Sequence, residues 1–413
     1  MAVFDKHDIM QLIKDNDVRF IRMQFTDLFG TLKNLAVAGS RVENAVDNGI
    51  EINAPLFGYG EGKGESLILA PDLDTFSILP WRPQKARVSR IICDIKQPDG
   101  RPFFADARQM LKSAAQKAKS KGYIPRIAAS CKFYLFQTDD RGRPLYTFND
   151  DAAYLSAEPS DLGDGVRRDM CFTMEDMGFE IEALYHCKDA GQHEISFKPD
   201  GAVRTADGIA TFKMVARTIA ARHGLHATFM PMPKGALYGS DMSLRLSLDG
   251  DNAFYKAEAG KGLSETAYMF LSGVLECAGD MAAITNPTVN SYKRLLKSGG
   301  RLARLVGNCG PEDIYVELMW PDAAANPYLT LATAIRAGLY GIEKGDIELR
   351  RGEKHSAMPR SLLEAVQLME SSPRLNEWMG RDAVEMYIDC KRREYREYDG
   401  QVHDWEMDRY LKL

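Results

Sequence analysis

The sequence lacks the features that mark several large classes of protein. No apolar run approaches the roughly 18 residues that a membrane-spanning helix requires, and the opening stretch MAVFDKHDIMQLIKDN has no continuous apolar segment of the kind found in secretory signals. The seven cysteines are odd in number and form no C-x-x-C pair, which argues against a disulfide framework. A net charge of −5 gives no electrostatic reason to expect nucleic acid as a partner. We therefore expect a cytoplasmic protein that binds neither membranes nor nucleic acids.

The length and the order of the local patterns predict two domains. At 413 residues, with 45% hydrophobic and 27% charged residues, the chain exceeds the usual size of a single core. Roughly the first hundred residues read as strands and turns, as in the alternating VRFIRMQF. The first long helix is predicted to begin at Asp106, a potential N-cap, and to end at Gly122. We therefore predict domains at residues 1–103 and 104–413.

Beyond this boundary, strand and helix patterns are mixed. RIAASCKFYLF and SDMSLRLSL predict strands, and FEIEALYH followed by HEISFKP predicts a strand pair. Amphipathic helices are predicted near residues 203–223, 264–279 and 326–344. This mixture predicts the α+β fold class.

One segment, YHCKDAGQHEISF at residues 185–197, is rich in side chains that bind metals or move protons. The segment is consistent with three interpretations: a metal site, a Cys187 nucleophile with a histidine base, or a former site whose functional residues have been replaced. Neighbouring residues on a strand point to opposite faces, so we do not expect Cys187 to contact His186. By the same reasoning His193 faces away from Glu194, and we interpret it as either a structural residue or a ligand.

Several longer motifs carry a resemblance to a known family. GQHEI, RHGLHATFMP, NPTVNSYKRL and PDAAANPYL occur in this order, and QFTDLFGTLKN and PDLDTF precede them. Through these motifs, nearly the whole chain resembles the glutamine synthetase family, and specifically the bacterial type I members. The resemblance implies an N-terminal β-grasp domain and a catalytic domain with a curved antiparallel sheet flanked by helices. It also implies two stacked hexameric rings, with each active site lying between two subunits.

The resemblance further implies a reaction and a set of cofactors. The family couples glutamate and ammonia with ATP through a γ-glutamyl phosphate, and two or three Mg²⁺ or Mn²⁺ ions orient the phosphates. Such ions need hard oxygen ligands, so the family supplies five glutamates and one histidine.

This chain departs from the family at most of those ligand positions. The four replacements are Ser130, Lys132, Cys187 and Ser243, and the two retained ligands are Glu194 and Glu317. The formal charge of the set falls from about −5 to about −1, with the cysteine protonated as at its reference pKa. We expect the Lys132 ammonium to lie between Glu194 and Glu317 and to take the place of the metal.

The positions that resemble the substrate site are altered as well. Tyr315 and Met319 replace both arginines of the family's RxExR run, and Gly300 stands where a glutamate closes the site over ammonia. Asn53 stands where an aspartate deprotonates ammonium, and an amide cannot accept that proton. Arg294 in SYKRL remains as the one arginine suited to a carboxylate. Both halves of the composite site are changed, so neither is expected to complete a neighbour's site.

The strand pattern SDMSLRLSL places Asp241, Ser243 and Arg245 on one face, because side chains alternate along a strand. Asp241 and Arg245 are expected either to form an ion pair across the vacated metal position or to line a solvated rim.

Three functional hypotheses remain. The residues favour a pseudoenzyme that forms homo-oligomers (a hexamer or a dodecamer), needs no cofactor, and acts as a scaffold, as a sensor through Arg294, or as a protein partner in nitrogen metabolism. The second hypothesis is a diverged enzyme that forms or breaks a γ-glutamyl or related amide bond without the usual metals. The third is an active ATP-dependent glutamate–ammonia or glutamate–amine ligase.

Overall fold

The structure, a computed structural model, mixes two β-sheets with many helices, which confirms the α+β prediction. It describes residues 4–54, 66–82, 84–157, 159–235, 237–250, 254–256, 263–298, 302–307, 314–345 and 358–413. Within these ranges, no helix combines the length and the apolar character needed to cross a bilayer.

A five-stranded sheet forms the N-terminal part of the chain. Its strands are β1 (Val18–Thr26), β2 (Leu32–Ala38), β3 (Ile50–Asn53), β4 (Ser66–Ile78) and β5 (Arg87–Lys96). The order across the sheet is β2-β1-β5-β4-β3, with β1 and β5 parallel and the other neighbours antiparallel. Helices α1 (Lys6–Asp15) and α2 (Val42–Asn48) contact this sheet. This mixed sheet with its helices is the β-grasp arrangement that the resemblance implies.

A larger antiparallel sheet carries the second part of the chain. Its strands are β6 (Ile124–Thr138), β7 (Pro144–Phe148), β8 (Ile181–His186), β9 (Gln192–Phe197), β10 (Asp200–Gly201), β11 (Leu225–Thr228), β12 (Met242–Asp249), β13 (Ala303–Val306) and β14 (Tyr315–Leu318). The order is β13-β14-β12-β6-β9-β8, and β7, β10 and β11 also pair with β6. The long strand β6 is therefore the centre of the sheet.

Helices surround this second sheet. They are α3 (Ala107–Ser120), α4 (Asp164–Asp176), α5 (Ala202–Arg222), α6 (Glu265–Glu276), α7 (Ala282–Thr285), α8 (Val289–Ser298), α9 (Pro327–Lys344), α10 (Leu362–Glu370), α11 (Pro373–Met379), α12 (Arg381–Asp399) and α13 (Asp404–Tyr410). The Asp106 carboxylate caps α3 by accepting hydrogen bonds from the backbone N–H groups of Arg108 and Gln109, as predicted. The helices predicted near residues 203–223, 264–279 and 326–344 are confirmed as α5, α6 and α9.

The two faces of β6 have different surroundings. The Phe133 ring packs edge-on against Phe212 of α5, with 5.7 Å between the ring centroids, so this face of the strand lies under the helix. Cys131 lies on the same face and is completely buried. Ser130 and Lys132 alternate with these residues and are half-buried on the opposite face. This opposite face positions the candidate site.

A tight contact joins the two parts of the chain. The side-chain amide of Asn326, the N-cap of α9, donates to the backbone oxygens of Asp27 at 3.2 Å and Leu28 at 3.1 Å. Gly30 has a φ of +87°, and a Cβ there would lie 3.1 Å from the Asn326 Cα. The loop after β1 is therefore fixed against the start of α9.

Candidate functional site

The pairing of the strands brings the six predicted ligand positions to one face of the sheet. Lys132 on β6 lies directly opposite Glu194 on β9, and Ser130 lies directly opposite Ser243 on β12. Glu317 on β14 faces Ser243 diagonally, and the Ser243 hydroxyl donates to its Oε1 at 2.9 Å. Cys187 follows β8, and its Sγ lies 3.9 Å from Glu194 Oε2. The shared face of Ser130 and Lys132, and that of Asp241 and Ser243, agree with the strand alternation read from the sequence.

The Lys132 ammonium lies among carboxylates, although with a different pairing from the predicted one. Its Nζ is 2.8 Å from Asp241 Oδ2 and 3.9 Å from Glu194 Oε2. Burial alone would lower the pKa of Lys132, but Asp241 and Glu194 outweigh burial and raise the pKa above its usual 10.5. Lys132 is therefore a fixed positive charge in this site at neutral pH.

Glu317 has a different cationic partner, which corrects the prediction that Lys132 lies between Glu194 and Glu317. Arg304 on β13 pairs directly with Glu317 in the strand register, and its Nε lies 2.5 Å from Glu317 Oε2. Arg304 was not among the predicted site residues, because its strand is only four residues long and lies in the segment where the family motifs are interrupted. The register of β13 against β14 is what brings the two side chains together.

Asp241 and Arg245 do not form the ion pair that the sequence allowed. Asp241 binds Lys132, whereas the Arg245 guanidinium forms an ion pair with Glu182 of β8. The Arg245 guanidinium also lies 5.7 Å from the centroid of the Tyr315 ring. Each carboxylate described on this face thus has a cationic side chain of the same chain within ion-pair distance.

Cys187 is a protonated thiol in this setting. Burial, and next the negative charge of Glu194, raise the pKa of the Cys187 thiol well above its usual value. The His186 ring lies on the other side of the strand, where its Nε2 is 2.8 Å from Asp150 Oδ1. The geometry therefore agrees with the expectation that Cys187 and His186 do not act as a nucleophile and its base.

The opposite face of β8 and β9 carries a buried cluster that has the composition of a metal site. One ligand atom each from Asp150, His186 and His193 lies within 4.8 Å of the others. However, Arg167 Nη1 lies 2.7 Å from His193 Nδ1 and can only donate, so the proton of the neutral ring is on Nε2. A Cβ on Gly163 would lie 2.8 Å from that Nε2, so the protonated edge of the ring packs closely against the backbone of Gly163.

The same cluster is better described as a buried charge network. Asp161 binds Arg167 at 2.6 Å, and Arg167 in turn contacts His193. Burial, followed by the Arg167 charge, lowers the pKa of His193 to about 3, so the ring is neutral. Burial also acts to lower the pKa of His186, but the hydrogen bond with Asp150 outweighs burial and raises that pKa. The network agrees with the structural interpretation of His193.

The remaining predicted residues are dispersed. Arg294 is only 3% exposed, and its Nη2 donates to the backbone oxygen of Trp320. Met319 is half-buried directly after β14, and Asn53 is exposed at the end of the edge strand β3. Gly300 lies outside the described residues. Their roles toward a substrate stay predictions.

A cavity that the sequence did not indicate lies at the end of the sheet where β6 begins and β12 ends. Ser247 is on the same face as Ser243 and Arg245, and it lines an open cavity of about 1000 Å³. Phe197 and Tyr255 contribute aromatic walls, and Arg126 and Asp249 contribute charges. None of the six ligand positions lines this cavity, whereas residues of α5 do, so it is a separate space large enough for a substrate-sized molecule.

Fold and site together define an α+β protein with an N-terminal β-grasp sheet and a larger antiparallel sheet whose open face carries paired charges. The model of the glutamine synthetase β-grasp domain matches residues 17–98, and that of the glutamine synthetase catalytic domain matches residues 104–410. The chain belongs to the glutamine synthetase family. The family resemblance read from the motifs is confirmed.

Curated relatives match over the full length. A glutamine synthetase of Clostridium saccharobutylicum is 41% identical and covers 100% of this chain and 99% of the relative. A glutamine synthetase of Halobacterium salinarum is 39% identical, with 98% and 96% covered. The first alignment spans 440 positions against a chain of 413 residues, so parts of that relative have no counterpart here.

Solved structures show the same fold. GmaS without ligand is 29% identical, with a TM-score of 0.87 over 98% of this chain and 100% of that one. The ADP complex of GmaS gives a TM-score of 0.86 at the same identity and coverage. The glutamine synthetase of Plasmodium falciparum reaches a TM-score of 0.90 at 20% identity, covering 99% of both chains, which is a likeness of fold alone.

Proposed function

We propose that this protein is a glutamine synthetase-family pseudoenzyme, which does not hold the family's divalent cations and does not ligate glutamate to ammonia with ATP. The proposal rests on one observation. The Lys132 ammonium lies 2.8 Å from Asp241 and 3.9 Å from Glu194, on the face where the resemblance puts the metal ligands. A cation supplied by the chain thus occupies the neighbourhood of the retained glutamate.

The electrostatics of this arrangement oppose a divalent ion. Mg²⁺ requires several oxygen ligands in a near-octahedral arrangement, whereas Glu194 and Glu317 are each already paired with a cation. Two like unit charges 4 Å apart repel by about 4 kcal/mol at an effective dielectric constant of 20, and a divalent ion doubles that value. The residues present therefore do not fit a pair of Mg²⁺ ions.

The second candidate is an active or diverged ATP-dependent ligase that joins glutamate to ammonia or to an amine. The comparisons favour this candidate over the pseudoenzyme, because the curated relatives are named glutamine synthetases at 41% and 39% identity over nearly the full length. A related structure, GmaS, is solved with ADP. The cavity beside Ser247 supplies space for a ligand of that size.

Activity measured beside the Clostridium relative separates the two candidates. We expect neither γ-glutamyl transfer nor glutamate-dependent release of phosphate from ATP above background, with Mg²⁺ or with Mn²⁺, at concentrations where the relative is fully active. Turnover within tenfold of the relative would establish the ligase and remove the pseudoenzyme.

We further propose that the chain assembles into rings of six or twelve copies and works in the cytoplasm with a protein partner in nitrogen metabolism. The proposal of rings is supported by membership of the glutamine synthetase family, for which the resemblance implies such an assembly. Light scattering after gel filtration measures the mass of the assembly, and a monomer would contradict the rings. Affinity purification from the native host tests the partner, and recovery of the chain alone would count against one.

A further inference from the structure

A second cavity lies where the N-terminal part of the chain meets the larger domain. It has a volume of about 500 Å³ and is bounded by the loop after β1, one side of α5 and the segment that follows β11. Phe29, Met214 and Phe229 supply apolar walls, while Lys213 and Arg217 supply positive charge. None of the described residues that line this cavity is an aspartate or a glutamate. The cavity is therefore cationic.

Lys213 is buried and forms no ion pair among the described residues. The residue is 7% exposed, and its Nζ donates to the backbone oxygen of Ala325 at 2.8 Å. An ammonium carries three N–H donors, and among the described residues no carboxylate lies within ion-pair distance of this one, so that Asp322 acts on its charge only from farther away. Burial lowers the pKa of Lys213 to about 8, so most of the ammonium is still charged at neutral pH. A buried charge of this kind is costly unless a partner neutralises it.

Arg217 follows one helical turn later, at the mouth of the cavity. Residues four apart on a helix share a face, so both cations reach the same space. The guanidinium lies 5.2 Å from the centroid of the Phe229 ring, which holds it over the cavity wall. In the part of the chain that the structure describes, Arg217 forms no ion pair with a carboxylate. Two cations and an aromatic wall thus converge on one opening.

This cavity is distinct from the candidate site described above. Helix α5 packs on the face of β6 that carries Cys131 and Phe133, whereas Lys132 lies on the opposite face. Lys213 is close enough to Cys131 for the charges of the two side chains to interact. Because Cys131 is on the helix-covered face, Lys213 lies on that side as well. The two sites share no lining residue.

The walls of the cavity are held in place before any ligand binds. Asn326 fixes the loop after β1 through the backbone oxygens of Asp27 and Leu28. On the other side, the Asn290 side chain bonds both the N–H and the oxygen of Met232, beside the segment after β11. A preformed site loses less conformational entropy on binding.

We propose that this cavity binds a small organic anion, with Lys213 and Arg217 contacting its carboxylate or phosphate group and the apolar walls contacting its carbon atoms. A carboxylate and a phosphate offer the same acceptor chemistry to an ammonium and a guanidinium. The volume suits a molecule of metabolite size. This site would serve a ligase or a pseudoenzyme equally, so it does not depend on the proposed function.

Calorimetry on the full chain at low ionic strength tests the site. The probes are inorganic phosphate, butyrate and succinate, which distinguish a phosphate site from a monocarboxylate or dicarboxylate site. We expect saturable binding of at least one probe, at one site per chain, with a dissociation constant below about 1 mM. Absence of saturable binding by all three probes overturns the proposal.

Three variants identify the residues responsible. Arg217→Met lies at the exposed mouth and is not expected to disturb folding, and we expect it to weaken binding about tenfold, the effect of losing one charge-assisted hydrogen bond. Lys213→Met is expected to weaken binding at least as much. Arg222→Met removes an exposed arginine of the same helix outside the cavity and should leave binding unchanged. Equal affinity in Arg217→Met and wild type, or equal losses in Arg217→Met and Arg222→Met, contradicts the assignment.

Discussion

At the scale of single residues, the candidate site is a set of side-chain ion pairs. Lys132 binds Asp241 and Glu194, and Arg304 binds Glu317. The Lys132 side chain is 27% exposed, so its pairs are partly screened but are not free surface contacts. If one charged side chain of such a cluster is removed, the remaining charges are partly shielded from water and have no opposite charge beside them, which destabilises the fold.

Lys132→Met is predicted to destabilise the protein, because Asp241 and Glu194 would lose their shared cation. We expect a loss of about 1–3 kcal/mol in the free energy of unfolding, below the range for fully buried pairs because of the partial exposure. Urea denaturation measures this value. The matched control is Lys198→Met, which breaks an exposed pair with Glu180 and should cost less than about 1 kcal/mol. Equal losses would mean that the Lys132 pairs contribute no more than a surface contact.

Burial of Lys213 is predicted to make the free energy of unfolding depend on pH. Its pKa is about 8 in the folded chain, lowered by burial from 10.5, so the unfolded chain binds more protons between these pH values. Cys131, Arg217 and Asp322 are the charged or titratable groups that act on it. The destabilisation caused by Lys213 is therefore complete below pH 8 and diminishes as the pH rises toward 10.5.

Lys213→Met is accordingly predicted to be more stable than wild type at pH 7 without added anion, by an amount on the order of 3 kcal/mol. The difference between the two proteins should become smaller between pH 8 and pH 10. Urea denaturation over this range measures it. A difference that is constant with pH would show that Lys213 does not titrate in this window.

At the scale of elements, helices α6 and α9 pack at backbone distance. A Cβ on Gly341 would lie 2.1 Å from the Met269 backbone oxygen, and one on Gly273 would lie 2.2 Å from that of Ala337. These glycines allow the two helices to approach closely, and neither neighbouring backbone can yield without moving a helix. The close approach stabilises the scaffold behind the sheet.

Gly341→Ala is predicted to destabilise the protein by about 1–3 kcal/mol, because overpacking outweighs the better helix propensity of alanine. Thermal or urea denaturation detects the change. Gly165→Ala in α4 is the control, since a Cβ there meets only the end of the Arg168 side chain at 3.9 Å and should leave stability unchanged or raise it by up to about 1 kcal/mol. A neutral Gly341→Ala would imply that the helices can separate freely.

The elements also show which parts of the site the sequence could predict. The N-cap at Asp106 and the shared face of Ser130 and Lys132 depend on neighbouring residues, and local patterns predicted both. The partners of Lys132 and Glu317 depend on the register between strands far apart in the chain, which local alternation does not specify. Arg304 illustrates this limit, because only the pairing of β13 with β14 brings it to Glu317.

At the scale of the whole molecule, Arg108 links the two parts of the chain. Its side chain is 5% exposed and contacts Asp72 of β4 and Asp94 of β5 at 2.8 and 2.7 Å. It also binds Asp207 of α5 at 2.9 Å. A single guanidinium therefore connects the N-terminal sheet to the larger domain. The boundary between residues 103 and 104 itself stays a prediction.

Arg108→Met is predicted to cost about 3–5 kcal/mol, since three carboxylates would lose a buried partner. We also expect the N-terminal sheet to unfold in a separate, earlier calorimetric transition. Arg101→Met breaks only the exposed pair with Asp99 and should preserve the wild-type transition. An unchanged single transition in both variants would contradict the role of Arg108 in joining the domains.

Binding of Mn²⁺, followed by isothermal titration calorimetry without nucleotide, tests the central claim most directly. The electrostatic account predicts no micromolar binding by the wild type, and a clear gain of affinity when Ser130→Glu, Lys132→Glu and Cys187→Glu are combined, because three carboxylates replace a serine, a thiol and an ammonium. Micromolar binding by the wild type that is lost in Glu194→Gln would contradict the account.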